Sequence, residues 1–355
     1  MASVQRGTYR PRILLAVLGT AVSLLLVISV FFTLRLPGHG PVLTPRFSLR
    51  EFAHDLPRHL PYLVLFTFLS ALMTPLRAVQ WQFTLRKSVP FWDRFHLVAV
   101  GALAHNVLPG KMGDVTRAFL LARKEGIPFV ESLGSVAVCK LLELLVQLLL
   151  TALVLLGPMS DAMGPFARSL RIAGAIGAGL AIFTLLLARY SAELSTALQR
   201  RGTWPRVQRF LQNASAGLSA LRGFKPLMVA LAWSAGPVIA PALGYGIWLQ
   251  ALGVPGGIFG GMVVVAAITL GQSTLGMAAA TGTSFAVAAW AARVLGLGWQ
   301  DAAAFSTLTA FGTMISQTVP GAVSLLKRKV RWSEIRRGRE RELDAKIERE
   351  PMQAG

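Results

Sequence analysis

The segment "HNVLPGKMGDVTR", residues 105–117, places charged and helix-breaking residues inside an otherwise apolar region. Pro109 removes a backbone hydrogen-bond donor and Gly110 frees the backbone, so we expect the incoming helix to end there. Asp114 is a favourable N-cap residue, which predicts a second helix over Val115–Ala122. The segment therefore predicts two helices separated by a short break.

This break has the composition of an anion-binding site. The first turn of a helix exposes unpaired N–H groups and a partial positive charge, which favour an anion. Lys111 and Arg117 add full positive charges, and Asp114, three residues before Arg117 on the same helix face, can hold that side chain. We therefore expect a phosphate-binding loop at the membrane–cytoplasm boundary. The alternative is a plain cytoplasmic turn, since Lys and Arg are in general enriched on that side.

A second set of charges lies within the apolar segment "CKLLELL". Lys140 and Glu143, three residues apart, share a helix face and can neutralise each other. An ionisable residue inside a membrane costs about 2.5–3.5 kcal/mol and typically marks a functional path. The alternative is an ion pair that only fixes helix packing, with Lys140 reaching toward the membrane surface.

The segment "LRAVQWQFTLRK", residues 76–87, ends an apolar run with Arg77, Trp81, Arg86 and Lys87. Trp and Arg at such a position are most often membrane-interface anchors. Arg77 lies deepest of the four, and we expect it to join the first break and to line a polar path with Lys140 and Glu143.

The composition defines the class of protein. Hydrophobic residues make up 54% of the chain and charged residues 15%, against about 25% charged in soluble domains, so we expect a polytopic membrane protein. The net charge of +20 resides mainly in links and tail, which indicates contact with membrane lipids rather than nucleic acid. The five His residues lack metal-ligand spacing and no Walker-type loop occurs. We therefore expect no metal, no cofactor and no enzymatic activity.

The apolar runs predict an all-α polytopic fold with about six full spans, each of ~20 residues. The predicted spans are Ile13–Leu34, Leu60–Val79, Val130–Leu156, Leu170–Leu187, Leu227–Leu249 and Ala302–Leu326. Two further apolar regions, 95–122 and 258–297, are interrupted, and we predict re-entrant or broken-helix hairpins there. The second region has the alternative of two Gly-rich spans.

The distribution of Lys and Arg predicts the orientation. With both termini in the cytoplasm and both interrupted regions as hairpins, 28 of the 36 Lys and Arg residues lie inside and 7 outside, while Lys140 lies within a span. The first hairpin then enters from the cytoplasm and the second from outside, as in an inverted repeat. The second break offers small and hydroxyl groups that suit an opened backbone, a lipid headgroup or close helix packing. These are Gln272, Thr281, Gly282 and Thr283.

The remaining segments complete the predicted organisation. Residues 1–12 form a cytoplasmic N-terminus, 13–326 the transmembrane domain, and 327–355 a basic cytoplasmic tail. Residues 35–59 form a polar external link with a short amphipathic piece. Residues 191–222 alternate Leu and Phe with Arg, which predicts interfacial helices on the inner leaflet.

Three of these segments resemble the membrane domain of the lysyl-phosphatidylglycerol synthase/flippase family. The segment 105–117 is similar to a characteristic segment of that family. The segment "SVAVCKLLELL" is similar to its charged span, and "LRAVQWQFTLRK" is similar to the end of its second span. The resemblance covers roughly 10–326. The resemblance implies that the segment 105–117 binds a lipid headgroup or phosphate through Asn106, Pro109, Gly110, Lys111, Gly113, Asp114 and Arg117.

The chain also departs from the family pattern. Cys139 stands where the family usually has Glu, and Lys140 stands at an Arg position. Near 278–286 the chain has "AAATGTSFA" in place of a segment with Pro and Glu. The soluble aminoacyltransferase domain of the bifunctional members does not follow the membrane region, so we do not expect lipid aminoacylation.

The resemblance and the topology together predict a flippase that translocates an anionic or phosphate-bearing lipid across the bacterial inner membrane. Two alternatives stay open. One is a membrane-embedded transferase that uses a lipid-phosphate donor, with Glu51 or Asp55 as the catalytic carboxylate. The other is a non-transporting scaffold for an envelope lipid-modifying enzyme.

Overall fold

The computed structural model describes residues 21–35, 42–107, 112–156, 224–274 and 280–327, with six helical positions between 168 and 179. The predicted span Leu170–Leu187 is described only at scattered positions. The interfacial segment 191–222, the N-terminus 1–12 and the tail after Lys327 lie outside the described residues.

The described chain is almost entirely helical, as the composition predicts. The helices are α1 (Ala21–Phe31), α2 (Leu49–Ala71), α3 (Met73–Gln82), α4 (Phe91–Val107), α5 (Gly113–Glu125), α6 (Phe129–Leu156), α7 (Phe224–Ala251), α8 (Ile258–Thr274), α9 (Ala280–Val294) and α10 (Trp299–Lys327). The strands are β1 (Phe32–Arg35) and β2 (Val42–Pro45). Among these helices, three stretches are long and apolar enough to cross a membrane, namely Leu49–Gln82, Phe129–Val154 and Lys225–Ala251.

The predicted first span and external link are wrong in detail. The first helix ends at Phe31 instead of Leu34, because β1 pairs antiparallel with β2 and Phe32 lies opposite Pro45. The second helix begins at Leu49 instead of Leu60. Ser48 explains the earlier start, since its hydroxyl accepts a hydrogen bond from the Glu51 N–H at 3.3 Å and so caps the helix.

The first interrupted region forms a hairpin of two antiparallel helices, α4 and α5. Their backbones touch where Gly101 meets Gly113, since a Cβ on Gly101 would lie 2.9 Å from the Gly113 carbonyl oxygen. At the open end, Lys124 of α5 forms an ion pair with Asp93 of α4. The chain therefore leaves the hairpin at the end where it entered.

The second interrupted region forms a similar hairpin from α8 and α9. A Cβ on Gly271 would lie 2.8 Å from a methyl group of Val287, so the two arms are in close contact. The start of α8 also faces the end of α9, where Gly260 lies opposite Leu295. Close helix packing through small residues is the usual arrangement within membranes.

The two hairpins have equivalent neighbours. In the first half, α4 packs against α3 and α10, and α5 packs against α6. In the second half, α8 packs against α7 and α6, and α9 packs against α10. Exchanging α3 with α7, α4 with α8, α5 with α9 and α6 with α10 reproduces each of these contacts.

The close approach of α4 and α5 predicts a strong effect of Gly113→Ala. The added methyl group would meet the Gly101 carbonyl oxygen and the His105 Cβ, which lies 2.8 Å away. Because both obstacles are backbone or backbone-attached atoms, we expect the free energy of unfolding to fall by about 1–3 kcal/mol. Thermal unfolding in detergent measures this change.

Gly260→Ala is the matched control. Gly260 lies in an apolar helix arm, and its nearest obstacle to a Cβ is a Leu249 methyl group at an ordinary 3.5 Å. Since Ala favours a helix by about 0.5–1 kcal/mol over Gly, this variant should be as stable as the wild type or slightly more stable. Equal stability of both variants would contradict the close contact.

Candidate functional site

The centre of the candidate site is Glu143 on α6, which is largely buried. Arg77 of α3 donates two hydrogen bonds to it, from Nε to Oε1 and from Nη2 to Oε2, each 3.1 Å long. Lys140 approaches Oε2 with its Nζ at 3.3 Å, as the three-residue spacing predicts. The exposed fraction of the side chain is 11% for Glu143, 23% for Arg77 and 39% for Lys140. One buried carboxylate is therefore shared by two cations.

Arg117 of α5 forms the second part of the site. Its Nη2 lies 3.0 Å from Asp114 Oδ1, as the spacing predicts, and its guanidinium lies 5.2 Å from the centre of the Trp81 ring. The side chain is only 4% exposed. Within the described part of the chain, Nε and Nη2 have no hydrogen-bond partner, because the contact with Asp114 has the distance of an ion pair without the angles of a hydrogen bond. Arg117 thus holds unused donors in a buried position.

The two parts interact electrostatically. Asp114 is attracted by Lys140 and Arg77 as well as by Arg117, and Glu143 is attracted by Arg117. The five charged side chains, which we call the buried cluster, are Arg77, Asp114, Arg117, Lys140 and Glu143. With three cations and two carboxylates, the buried cluster has a formal charge of +1 and unused N–H donors, which suits an anion.

The predicted role of Asp114 as an N-cap is wrong. The helix α5 begins at Gly113, and the preceding residue, Met112, makes no capping hydrogen bond through its side chain. The close contact of Gly113 with α4 fixes the earlier start, so that Asp114 lies in the first turn. An acidic residue there still interacts favourably with the helix dipole.

The rest of the segment 105–117 is only partly described. Pro109, Gly110 and Lys111 lie outside the described residues. Asn106, in the last turn of α4, is exposed, and its Nδ2 lies 3.5 Å from Thr318 Oγ1 of α10. The end of α4, after which the predicted phosphate loop follows in the sequence, therefore faces α10.

Trp81 is not an interface anchor, contrary to the prediction from its sequence context. Its side chain is completely buried, and its Nε1 donates a hydrogen bond to Ser135 Oγ of α6 at 2.9 Å. The adjacent Gln80 is also buried and donates from Nε2 to the Cys139 carbonyl at 3.1 Å and to Ser234 Oγ at 2.9 Å. These contacts hold α3 against α6 and α7, and so place Arg77 beside Glu143.

Arg94 of α4 is a further buried cation that the sequence did not single out. It donates hydrogen bonds to the carbonyl groups of Ala78 and Val79, near the end of α3, and from Nε to the Val89 carbonyl at 3.0 Å. The last carbonyl groups of a helix lack partners within the helix. The Val79 carbonyl is one of these groups, and that of Ala78 precedes it by one position. By binding both, Arg94 fixes the first hairpin beside Arg77 and Trp81.

The second hairpin contains the uncharged candidates, one of which contacts α1. The Gly282 N–H donates a hydrogen bond to Ser23 Oγ at 3.0 Å, and the neighbouring Thr283 is completely buried. Gln272 lies in the last turn of α8 and Thr281 in the first turn of α9. Thus α1 covers the start of α9, whereas the corresponding turn of α5 has Asp114 and Arg117.

The carboxylates of the transferase alternative lie apart from the buried cluster. Glu51 and Asp55 are in the first turns of α2, whereas Arg77 lies in the middle of α3, the helix that follows α2. Asp55 Oδ1 is 3.2 Å from His54 Nδ1, and both side chains are exposed.

The shared carboxylate predicts that Glu143→Gln destabilises the protein. The substitution leaves Arg77 and Lys140 without their negative partner. Breaking a fully buried ion pair costs about 3–5 kcal/mol, and we expect about 2–4 kcal/mol here because Arg77 is partly exposed. Denaturation of the purified protein in detergent measures the change in the free energy of unfolding.

The control for this substitution is Glu131→Gln, in the first turn of the same helix. It removes a favourable interaction with the helix dipole and should cost less than about 1 kcal/mol. Adding Arg77→Gln to Glu143→Gln should recover part of the lost stability, since two amides replace two unpaired ions. A Glu143→Gln variant as stable as the wild type would contradict the shared-carboxylate arrangement.

The comparisons with known proteins agree with the geometry of a membrane protein. No curated protein and no solved structure matches the chain. The family described as the lysylphosphatidylglycerol synthase TM region matches residues 13–321, which include both hairpins and the whole buried cluster. The chain therefore belongs to the lysylphosphatidylglycerol synthase TM region family and is a membrane protein of a lipid-related family, in contact with membrane lipids.

Proposed function

We propose that this protein translocates an anionic or phosphate-bearing lipid between the leaflets of the bacterial inner membrane. The observation that carries the proposal is the buried cluster, in which Arg117 keeps unused donors and Glu143 is shared by Arg77 and Lys140. In a membrane protein of a lipid-related family, the anion that such a cluster meets is a lipid headgroup.

The chemistry of the cluster favours phosphate. The planar guanidinium group of Arg binds phosphate oxygens through two parallel hydrogen bonds. A singly charged phosphate beside Arg117 would accept hydrogen bonds from Nε and from Nη2, which faces Asp114 in this structure. It would bring the formal charge of the cluster from +1 to zero. The acyl or prenyl tails would stay in the surrounding lipid, so that only the headgroup crosses through protein.

The arrangement of the hairpins supports a re-entrant topology. The arms α4, α5, α8 and α9 contain 17, 13, 17 and 15 residues, fewer than the ~20 of a full span. The equivalent neighbours of the two hairpins are what a repeat would produce, and so support the proposed one. With the cytoplasmic termini inferred from the distribution of Lys and Arg, the hairpins enter from opposite sides, as in carriers with inverted repeats.

We propose transport without chemical change of the lipid, driven either by its gradient or by a coupled ion. The transferase alternative differs in a testable way, because it assigns the chemistry to Glu51 or Asp55. The scaffold alternative requires neither those carboxylates nor the charges of the buried cluster.

The topology predicts which ends of the hairpins face which side. In a Cys139→Ala background, Ser88→Cys and Pro128→Cys flank the first hairpin, and Pro255→Cys and Gly298→Cys flank the second. We expect a membrane-impermeant maleimide to label the first pair only from the cytoplasm and the second pair only from outside. Labelling of all four positions from one side would contradict the inverted arrangement.

The accessibility of the tip of the first hairpin distinguishes two topologies, a re-entrant hairpin and a pair of short membrane spans. Val107 is exposed at the end of α4. Since a re-entrant tip stops within the membrane, Val107→Cys should not react with the impermeant reagent from outside. Labelling from outside at the rate of Pro255→Cys would show that the hairpin crosses the membrane.

Transport itself is measured by leaflet accessibility in proteoliposomes, with fluorescent phospholipids and an impermeant quencher. We expect protein-dependent lipid scrambling in the wild type. Arg117→Gln should reduce the rate by about tenfold or more, because it removes a charge-assisted contact of the headgroup worth at least about 1.5 kcal/mol. Glu143→Gln should also reduce the rate, because Arg77 and Lys140 lose the carboxylate that holds them in place. Only variants that keep the wild-type elution profile in detergent are compared.

Two control variants distinguish the alternatives. Arg123→Gln changes an exposed cation on the same helix, and under transport it should leave the rate unchanged. Asp55→Asn should likewise leave the rate unchanged, whereas a transferase would lose product formation. Scrambling that persists in both Arg117→Gln and Glu143→Gln would refute the proposed role of the buried cluster.

A further inference from the structure

Two arginine side chains meet one tryptophan ring at the other end of the molecule. Arg46 follows β2, and its guanidinium lies 4.2 Å from the centre of the Trp299 ring at the start of α10. Arg293, in the last turn of α9, lies 5.6 Å from the same ring. We call Arg46, Arg293 and Trp299 the arginine–tryptophan cluster.

This cluster lies far from the buried cluster. Arg46 is three residues before α2, while Arg77 belongs to α3, which continues α2. The helical rise from Leu49 to Arg77 amounts to roughly 40 Å, about the thickness of a bilayer with its headgroups. Since Leu49–Gln82 is one stretch long and apolar enough to cross a membrane, the two clusters lie toward opposite sides of the membrane.

The arginine–tryptophan cluster contains positive charge without a carboxylate partner. Within the described ranges, neither guanidinium forms an ion pair. Residues 36–41, which connect β1 to β2 and lie outside those ranges, include no acidic residue. Arg46 donates through Nε to Thr33 Oγ1, while its buried Nη1 has no hydrogen-bond partner. Arg293 donates through Nη1 to the Leu297 carbonyl. Two like charges and a free buried donor thus converge on one ring.

The surroundings of this cluster are those of a lipid headgroup region. Trp290 packs edge-on against Trp299, with ring centres 4.8 Å apart, and is 47% exposed. Trp is enriched at the level of the headgroups, where its ring is partly in contact with hydrocarbon and its N–H with water. The phosphate groups of phospholipids lie at the same level, and guanidinium groups bind them as planar forks.

We propose that Arg46, Arg293 and Trp299 form a binding site for the phosphate of a phospholipid headgroup at the membrane surface opposite the buried cluster. The two guanidinium groups share the phosphate oxygens, and Trp299 holds both groups in place. If the site receives the lipid after translocation, that role rests on the proposed function. As a lipid-binding site, it does not depend on transport.

The test is photo-crosslinking of the full-length protein in nanodiscs, using phosphatidylglycerol with a diazirine near its headgroup. Mass spectrometry locates the crosslinked peptides. In the wild type we expect crosslinks around Arg46 and between Trp290 and Trp299. The double substitution Arg46→Gln, Arg293→Gln should reduce them by about tenfold, because it removes charge-assisted hydrogen bonds.

The control is Arg50→Gln, an exposed arginine at the same end of the molecule, which should leave the crosslinks unchanged. Arg293→Gln alone provides a milder variant if the double substitution disturbs folding, and Arg293→Lys should retain part of the signal because it keeps the charge. Crosslinking that is equal in the wild type and in all variants overturns the proposal.

Inorganic phosphate in the millimolar range distinguishes the two sources of the ligand. A lipid site keeps its crosslinks, since the tails add to the affinity, whereas a site for free phosphate loses them and overturns the lipid assignment.

The outcome of the crosslinking experiment is independent of the proposed function. Crosslinks at this site that persist in Arg117→Gln, while scrambling is lost, separate the two clusters. Absence of scrambling in the wild type, with crosslinks present, refutes transport and leaves the binding site.

Discussion

The negative charge of Glu143 constrains the first half of the molecule. A carboxylate on an apolar helix is tolerated only when a cation neutralises it, since burial of an unpaired charge is costly. Lys140 supplies one cation from the same helix, but it is partly exposed. Arg77 supplies the other and must come from α3. The middle of α3, where Arg77 lies, is therefore required to lie against α6.

The polar residues of α3 maintain this position. Gln80 binds both α6 and α7, and Trp81 binds Ser135 of α6. Trp81 then presents its ring to Arg117 of the first hairpin. The hairpin is fixed in turn by Arg94, which binds the end of α3. Each of these contacts satisfies a buried polar group that would otherwise be costly, so the charged groups and the helix packing stabilise one another.

The two hairpins have equivalent neighbours but different chemistry. The first turn of α5 contains Asp114 and Arg117, whereas the first turn of α9 contains Gly282, whose N–H is bound by Ser23 of α1. A charged first turn can exchange its partner for an anionic ligand. A turn closed by a hydroxyl group from a neighbouring helix is suited to packing. The proposed headgroup site therefore involves the first hairpin and not the second.

The sequence by itself determined the features that depend on composition and short spacing. An apolar chain with few charges must be a helical membrane protein, and the pairs Asp114–Arg117 and Lys140–Glu143 follow from the geometry of a single helix. The family resemblance rested on the same segments, and the match over residues 13–321 confirms it.

Only the tertiary structure decided which residues from different helices meet. The sequence predicted that Arg77 would line a polar path with Lys140 and Glu143, but not that it would donate two hydrogen bonds to Glu143, which is 66 positions away in the chain. Nothing in the local pattern of Trp81 indicates that it would lie over Arg117, which is 36 positions away. The start of α5 at Gly113 was also decided by the tertiary structure, because it depends on the close approach of Gly101. Spacing along one helix is set by covalent geometry, whereas contacts between helices are set by packing, and packing depends on the whole chain at once.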